Sequence, residues 1–300
     1  KGSSKNDLKH MIPEVKELID RFDQLDYVVE EELATVLFLM LKLKKPLLLE
    51  GPPGVGKTEA ANIIAHYQGH ELIRLQCYEG LDVSTSVYEW NYQKQLLHIK
   101  LSEKEKISAE EQEKFIFSDE FLLKRPLLKA ITSDKPAVLL IDEIDRADEE
   151  FEAFLLELLS DFQISIPELG TIKAKHKPVV ILTSNRTRDL SDALKRRCLY
   201  HWVDFPTFDK ELAIVEKHVG GEVEILQHLV RFVEYLRGQH LQKTPGIAET
   251  IDWARALITL NATTLSPELI ESTLGCVLKS QKDINEIKHS LTSILEETSA

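Results

Sequence analysis

The feature that most constrains this chain is the glycine-rich segment 51–58, which reads Gly-Pro-Pro-Gly-Val-Gly-Lys-Thr. The apolar run 46–50 precedes it, and the helix-forming stretch 59–65 follows it. The spacing G-x-x-x-x-G-K-[ST] lets glycines bring backbone N–H groups close to a polyphosphate, and the following helix adds its positive N-terminal end. The segment therefore predicts a phosphate-binding loop between a strand and a helix.

Each side chain of this loop has a chemical reason for its position. Lys57 can reach the outer phosphates, and the Thr58 hydroxyl can ligate Mg2+. A glycine turn with a chance lysine is the alternative, and the flanking strand and helix patterns disfavour it. We expect the nucleotide-binding residues to be Pro53, Gly54, Val55, Gly56, Lys57, Thr58 and Glu59.

A second apolar run, 137–141, ends in two carboxylates, Asp142 and Glu143. A run without alternation fits a strand buried on both faces, as in a parallel sheet. Asp142 at its end can hold Mg2+, and Glu143 can polarise a water for attack on a γ-phosphate. A strand that ends in a solvated turn is the alternative for this run alone. Together with the phosphate loop, the run indicates ATP hydrolysis.

Two later segments offer further candidates for the same chemistry. The strand predicted at 178–183 is followed by Asn185, which can orient the attacking water, although an Asn after a strand is more often a turn residue. The short helix predicted at 190–198 carries Arg196 and Arg197 near its end, where cations favour the helix dipole. The functional alternative is an arginine finger that reaches a neighbouring subunit's γ-phosphate, with Arg197 preferred over Arg196.

The patterns divide the chain into three parts. Residues 1–24 form an N-terminal extension without a clear element, and 25–206 form an α/β nucleotide-binding domain. Residues 207–300 show helical patterns only and predict an all-helical domain. Within the α/β domain, we expect an exposed, partly helical insertion at about 78–125 and a β-hairpin at 163–174.

Charge and composition limit the kinds of partner that we expect for this protein. The net charge of −13 and the pI near 5.3 disfavour a surface that binds a nucleic-acid backbone. No stretch approaches the ~20 apolar residues of a membrane span, so we expect a soluble, cytoplasmic protein. The three cysteines lack C-x-x-C spacing and predict neither a disulfide framework nor a zinc site.

The order of these motifs resembles that of an AAA+ ATPase: the phosphate loop, the strand ending in Asp142 and Glu143, Asn185, the double arginine, and a helical lid. The stretch 142–147, Asp-Glu-Ile-Asp-Arg-Ala, and the 163–174 hairpin resemble the MoxR family. Its CoxD-type branch is similar to this chain in the segments 88–92, 184–190, 194–202 and 245–250.

The resemblance implies a fold and a function. The fold would be an α/β P-loop AAA+ module with a parallel sheet and a smaller all-helical lid, and ATP would lie between them with Mg2+ held by Thr58 and Asp142. Such proteins are chaperone-like ATPases that form hexameric rings and remodel a protein client, for example a metalloenzyme such as a molybdenum hydroxylase. A von Willebrand factor A domain protein is their frequent partner.

Three alternatives stay open: a nucleic-acid translocase or loader of the AAA+ class, a P-loop kinase, and a scaffold that binds ATP without turnover. One departure from the AAA+ pattern concerns the sensor-2 arginine at the start of the third lid helix. That region reads Gly-Ile-Ala-Glu at 246–249, and the nearest arginine is Arg255. Arg146 is a candidate for a second contact with a neighbouring subunit.

Overall fold

The computed structural model of the protein describes residues 12–102, 108–220 and 223–298. The chain forms two compact units. The sheet unit comprises Thr35–Glu50 and Lys57–Trp202, and the helical unit comprises the described residues up to Ala34, the loop Gly51–Gly56, and the described residues from Val203 onward. The domain boundary at 206 and 207 stays a prediction.

The described residues contain nine strands: β1 Leu47–Glu50, β2 Glu71–Gln76, β3 Tyr88–Trp90, β4 Leu122–Lys124, β5 Ala137–Asp142, β6 Gln163–Ile166, β7 Gly170–Lys173, β8 Val179–Ser184 and β9 Leu199–Trp202.

They also contain fourteen α-helices: α1 Pro13–Gln24, α2 Glu31–Leu43, α3 Lys57–Gln68, α4 Val83–Val87, α5 Tyr92–Ser102, α6 Ala109–Ile116, α7 Pro126–Thr132, α8 Glu149–Asp161, α9 Asp192–Arg197, α10 Phe208–Val219, α11 Val223–Arg237, α12 Ile247–Thr259, α13 Pro267–Val277 and α14 Gln281–Thr298.

The sheet unit is built on a five-stranded parallel sheet in the order β2-β5-β8-β1-β9. Its inner strands β1 and β5 are buried along their whole length. Helices cover a parallel sheet on both faces, so its strands do not alternate between buried and exposed residues. This confirms the parallel sheet predicted from the apolar runs. The predicted hairpin is the antiparallel pair β6–β7.

The insertion at 78–125 differs from its prediction. It is partly helical, as expected, but β3 and β4 pair in an antiparallel ladder. Several of its hydrophobic side chains are buried in the main core of the sheet unit, so the expectation of an exposed segment is wrong for them: Leu81, Val87, Trp90, Phe121 and Leu122. The charge-rich part that suggested exposure overlaps residues 103–107, which lie outside the described residues.

Helix α1 lies in the N-terminal extension, residues 1–24, where the sequence predicts no clear element. Its buried side chains are Val15, Leu18 and Phe22. They follow the i, i+3, i+7 spacing of an amphipathic helix. Only these three positions are buried and apolar, and charged residues surround them in the sequence, so the amphipathic pattern is weak.

The helical unit has its own core, formed by α10 to α14. Phe232 on α11 packs edge-on against Trp253 on α12, and the Trp253 indole N–H donates to Thr273 Oγ1 at 2.9 Å. This confirms the helical patterns predicted after residue 207. Among the described residues, no helix is long and apolar enough to cross a membrane.

Candidate active site

The polar residues predicted at the strand ends meet at the carboxyl edge of the sheet. Strands β5 and β8 are parallel neighbours with Ile141 opposite Leu182, so Asp142 and Thr183 come next to each other. On the other side, Gln76 at the end of β2 lies opposite Asp142. Ligands of open parallel sheets bind outside this edge, where strand ends and loops supply the contacts.

Asp142 is the centre of this polar cluster and is 2% exposed. Its Oδ1 accepts hydrogen bonds from Thr183 Oγ1 at 2.5 Å and from Thr58 Oγ1 at 3.2 Å. The Arg74 guanidinium on β2 lies 2.5 Å from Oδ2. The carboxylate that we predicted as a magnesium ligand is thus oriented by two hydroxyl groups and paired with a half-exposed cation.

Glu143 directly follows the strand and turns the chain away from it. Its backbone is left-handed, with φ 54° and ψ 50°, a conformation that is uncommon for a residue other than glycine and is found at functional sites. Asn185 Nδ2 donates to Glu143 Oε1 at 3.4 Å, and Arg146 Nη1 donates to Oε2 at 3.1 Å. The structure therefore brings together Glu143 and Asn185, and it pairs Arg146 with Glu143 inside one chain.

Asp145, which is also buried, fixes the loop after β8. Its Oδ1 accepts from the Asn185 backbone N–H at 3.2 Å, and its Oδ2 accepts from the Thr187 N–H at 2.8 Å and from the Thr187 hydroxyl at 2.7 Å. A carboxylate that accepts several N–H bonds holds a loop firmly. Asp145 therefore sets the distance between the two strand ends that carry Glu143 and Asn185.

Lys57 begins α3 and is 6% exposed. Burial lowers its pKa from 10.5 to about 8, although the charges of Asp145, Asp142 and Glu143 raise it. Burial disfavours the charged ammonium form, whereas a nearby negative charge favours it. Thr58 follows it on the helix, and Glu59 accepts a hydrogen bond from Asn62 at 2.9 Å and points to solvent.

The glycines of the phosphate loop have conformations that other residues rarely adopt. The φ angles of Gly54 and Gly56 are +78° and +90°, in the region where a Cβ is disfavoured. At Gly56 an added Cβ would meet nothing within 4 Å, so backbone conformation alone selects glycine there. Pro53 is exposed and Val55 is buried, so the loop is anchored by one apolar side chain.

The two candidate finger arginines lie at the end of α9, and both are exposed. Helix α9 is capped by Ser191, whose hydroxyl accepts from the Leu194 N–H. Arg197 Nε donates to Ser160 Oγ on α8 at 2.8 Å, whereas no hydrogen bond of the Arg196 side chain is described. Neither arginine has a described hydrogen bond to the Asp142 cluster of its own chain, and the assignment of a finger to a neighbouring subunit stays a prediction.

The sequence interpretation missed the residues that support the site. Arg74, Thr183 and Asp145 carry the contacts of Asp142 and of the loop after β8. A weak signal for Arg74 exists, because the strand Glu-Leu-Ile-Arg-Leu-Gln alternates and puts Arg74 and Gln76 on one face. Thr183 and Asp145 could have been found from their positions next to Asn185 and Glu143.

The family description "ATPase family associated with various cellular activities (AAA)" matches residues 47–204, which is more than half of the chain. The matched region contains the phosphate loop from Gly51, Asp142, Glu143, Asn185 and both arginines. The chain belongs to the AAA family. It is an ATP hydrolase with an AAA+ fold, as the sequence motifs predicted.

The chain is also similar to other proteins in sequence and in fold. An uncharacterized protein of Staphylococcus aureus is 30% identical over 230 residues, which cover 74% of this chain and 78% of that protein. An uncharacterized protein of Staphylococcus epidermidis is 29% identical over the same length. A mutant RuvB of Thermotoga maritima matches 95% of this chain and 85% of its own with a TM-score of 0.52 and 19% identity, a likeness of fold.

Membership of this family implies nucleotide binding. Assembly into oligomeric rings is typical of its members. The residues present also fit Mg2+, because Asp142 and Thr58 offer hard oxygen ligands 3.2 Å apart, and Mg2+ is usually bound by one or two protein groups together with substrate phosphates and water. In the described part of the chain, no group of three or more His, Cys, Asp or Glu side chains could hold a metal by itself.

Proposed function

We propose that this AAA ATPase is a remodelling motor of the MoxR type, CoxD-like branch, that uses ATP hydrolysis to mature a protein client, for example a metalloenzyme such as a molybdenum hydroxylase. Two features support the proposal: the Asp-Glu-Ile-Asp-Arg-Ala stretch at 142–147 and the β6–β7 hairpin that precedes β8. A von Willebrand factor A domain protein is the partner that this resemblance suggests.

The ground state of the reaction is organised by Lys57, Thr58 and Asp142. We expect Lys57 to bind the outer phosphates, since its charge is desolvated and attracts anions. Bound Mg2+ would neutralise charge on the phosphates, and Thr58 and Asp142 would hold it. Arg74, which is 2.5 Å from Asp142 Oδ2, orients this carboxylate and limits how much negative charge it presents.

The observation that carries the hydrolytic role is the position of Glu143. Its two oxygens are fixed by Asn185 on one side and by Arg146 on the other, next to the Asp142 cluster. Glu143 would accept a proton from the attacking water, and Asn185 would orient that water by its amide. A P-loop kinase would need an acceptor pocket instead, and a turnover-free scaffold would have no use for this carboxylate.

We assign the contact with a neighbouring subunit's γ-phosphate to Arg197. Arg196 lies beside it at the same end of α9. Both guanidinium groups are exposed, so a neighbouring subunit of a head-to-tail ring, which we expect to be a hexamer, could receive one of them. An arginine finger contributes about 10³–10⁵ in rate in other phosphoryl-transfer systems. Arg197→Ala should bind ATP and lose hydrolysis, and mixing it with Lys57→Ala subunits should restore part of the activity. Absence of any rescue in mixed rings would remove Arg197 from this role.

The proposed protein client can be sought with a variant that binds ATP but does not hydrolyse it. Purified Glu143→Gln, which should bind ATP without turnover, is immobilised and exposed to cell extract with ATP and then with ADP. The proposal predicts a protein retained in ATP and released in ADP, with no retention on the Lys57→Ala control. Retention of nucleic acid that nuclease removes would instead support a translocase, and no nucleotide-dependent retention would contradict the remodelling function.

A further inference from the structure

We infer that Gly246 is a positioning residue for the phosphate loop: it lets the first turn of α12 lie directly against Gly54. The inference rests on the proposed role of the loop in ATP binding. Both residues belong to the helical unit. The Ile247 backbone N–H donates to the Gly54 carbonyl oxygen at 2.9 Å, so one peptide of the loop is held by the first residue of α12 through the main chain.

The contact is close enough to require glycine on both sides. A Cβ added to Gly246 would lie 2.7 Å from the Gly54 Cα and 2.8 Å from its carbonyl oxygen, and a Cβ added to Gly54 would lie 2.8 Å from the Gly246 Cα. These neighbours are backbone atoms, which cannot turn away as a flexible side chain can. The φ of Gly246 is −87°, an angle that any residue adopts, so only the close approach selects glycine there.

The turn that presents Gly246 is held by a buried ion pair. Arg237 on α11 and Glu211 on α10 have 8% and 1% exposed side chains, and Arg237 Nη1 lies 2.5 Å from Glu211 Oε2. Arg237 Nε donates to the Pro245 carbonyl oxygen at 2.9 Å, and the Thr250 hydroxyl donates to Glu211 Oε1 at 2.7 Å. Pro245 and Thr250 are thereby fixed on both sides of Gly246.

The capping of α12 fixes Gly246 itself. Its N–H donates to Glu249 Oε2 at 3.0 Å, and its carbonyl oxygen accepts from the Thr250 N–H at 3.3 Å. The Thr250 hydroxyl lies 3.1 Å from the same carbonyl oxygen and shares its single proton between this oxygen and Glu211. Because the turn is fixed, its contact with Gly54 restricts where the loop peptide can point. The nearest arginine on α12, Arg255, pairs with Asp252 at 3.7 Å on the surface, so it does not contribute to this contact.

The consequence is a two-way coupling. If the turn positions Gly54, displacing it weakens nucleotide binding, and by thermodynamic reciprocity a bound nucleotide must stabilise the turn. The loop N–H groups that face a phosphate lose their geometry when the Gly54 peptide rotates. No contact of Gly246 with the nucleotide is needed for this effect.

The test compares two Gly→Ala substitutions in purified full-length protein, with binding of a fluorescent ATP analogue as the readout. Gly246→Ala must push the loop by several tenths of an ångström, and we expect a dissociation constant roughly tenfold higher or more. Gly275→Ala is the matched control, because an added Cβ in α13 would meet nothing within 4 Å. It should bind as the wild type does.

A second variant removes the hydrogen bond by replacing the Ile247 N–H with the Cδ of a proline ring, which also crowds the Gly54 carbonyl oxygen. Ile247 is the first residue of α12, a position where proline is well tolerated, and α13 already begins with Pro267. Ile247→Pro should weaken nucleotide binding while thermal stability and helical content stay near those of wild type, and Ile247→Val, which keeps the N–H, should not. Amide hydrogen exchange at Ile247 should slow when the nucleotide is added.

The outcomes separate this inference from the proposed function. Wild-type affinity in Gly246→Ala or Ile247→Pro, with binding lost in Lys57→Ala, would overturn the positioning role alone. Full binding in Lys57→Ala would contradict the assigned role of the phosphate loop itself. Unchanged exchange at Ile247 on saturation with nucleotide would also overturn the coupling.

Discussion

Asp142 and Glu211 are two buried carboxylates that pair with arginines, and the two arginines differ in exposure. In the sheet unit, Asp142 is buried but its partner Arg74 has a 52% exposed side chain. In the helical unit, Glu211 and Arg237 are both buried, and hydrogen bonds from Thr250 and to Pro245 complete the pair.

This difference separates a structural pair from a chemically available one. A sealed pair offers no room for a ligand, and losing one partner leaves an uncompensated charge in the interior. An open pair can exchange its cation for another, because water and ions reach it. The Glu211–Arg237 pair shapes the turn before α12, whereas Asp142, with its half-exposed partner Arg74, is the carboxylate that we propose as a Mg2+ ligand.

The largest effect is expected at the open cluster. Glu143→Gln keeps the shape of the side chain and its contact with Asn185 but removes the base, so hydrolysis should fall by about 10²–10⁴. Steady-state phosphate release measures this, and nucleotide binding should be unchanged. Wild-type turnover would remove Glu143 from the role of base.

The next effect tests the sealed pair. Glu211→Gln leaves the Arg237 charge buried without a carboxylate, and the free energy of unfolding should drop by about 3–5 kcal/mol. Denaturant titration followed by circular dichroism measures the change. A loss similar to that of a surface pair would show that Arg237 finds water or another partner, and the contrast between the two regions would disappear.

The smallest effect is expected for Arg74→Gln. Half-exposed pairs contribute about 1 kcal/mol or less, so stability should change little. Removal of the cation should lower the Mg2+ concentration needed for half-maximal nucleotide binding by a few-fold, while Arg74→Lys should keep it. A destabilisation as large as that of Glu211→Gln would show that Arg74 is structural.

The sequence predicted the elements whose signal is local. The apolar runs that end at Asp142 and Ser184 identify buried parallel strands, and the glycine-lysine loop places Lys57 and Thr58 at a helix start. The support of the site was not predicted, because Arg74, Thr183 and Asp145 contact their partners across strands. Such contacts depend on the register between strands, which no single segment contains.

The insertion and the turn before α12 show the same limit. The buried Trp90 and Phe121 of the insertion are separated by a charged stretch that dominates its composition. The absence of an arginine at 246–249 was visible in the sequence, but the close approach of Gly246 to Gly54 was not, since the two glycines are far apart along the chain.

We expect Asp142 to hold the metal of a Mg2+–ATP complex. Isothermal titration of ATP with and without Mg2+ tests it in wild type and in Asp142→Asn, which keeps the size of the side chain. Mg2+ should strengthen ATP binding in wild type and have almost no effect in Asp142→Asn, with the fold of the variant verified by circular dichroism. An equal Mg2+ effect in a folded Asp142→Asn would contradict the account.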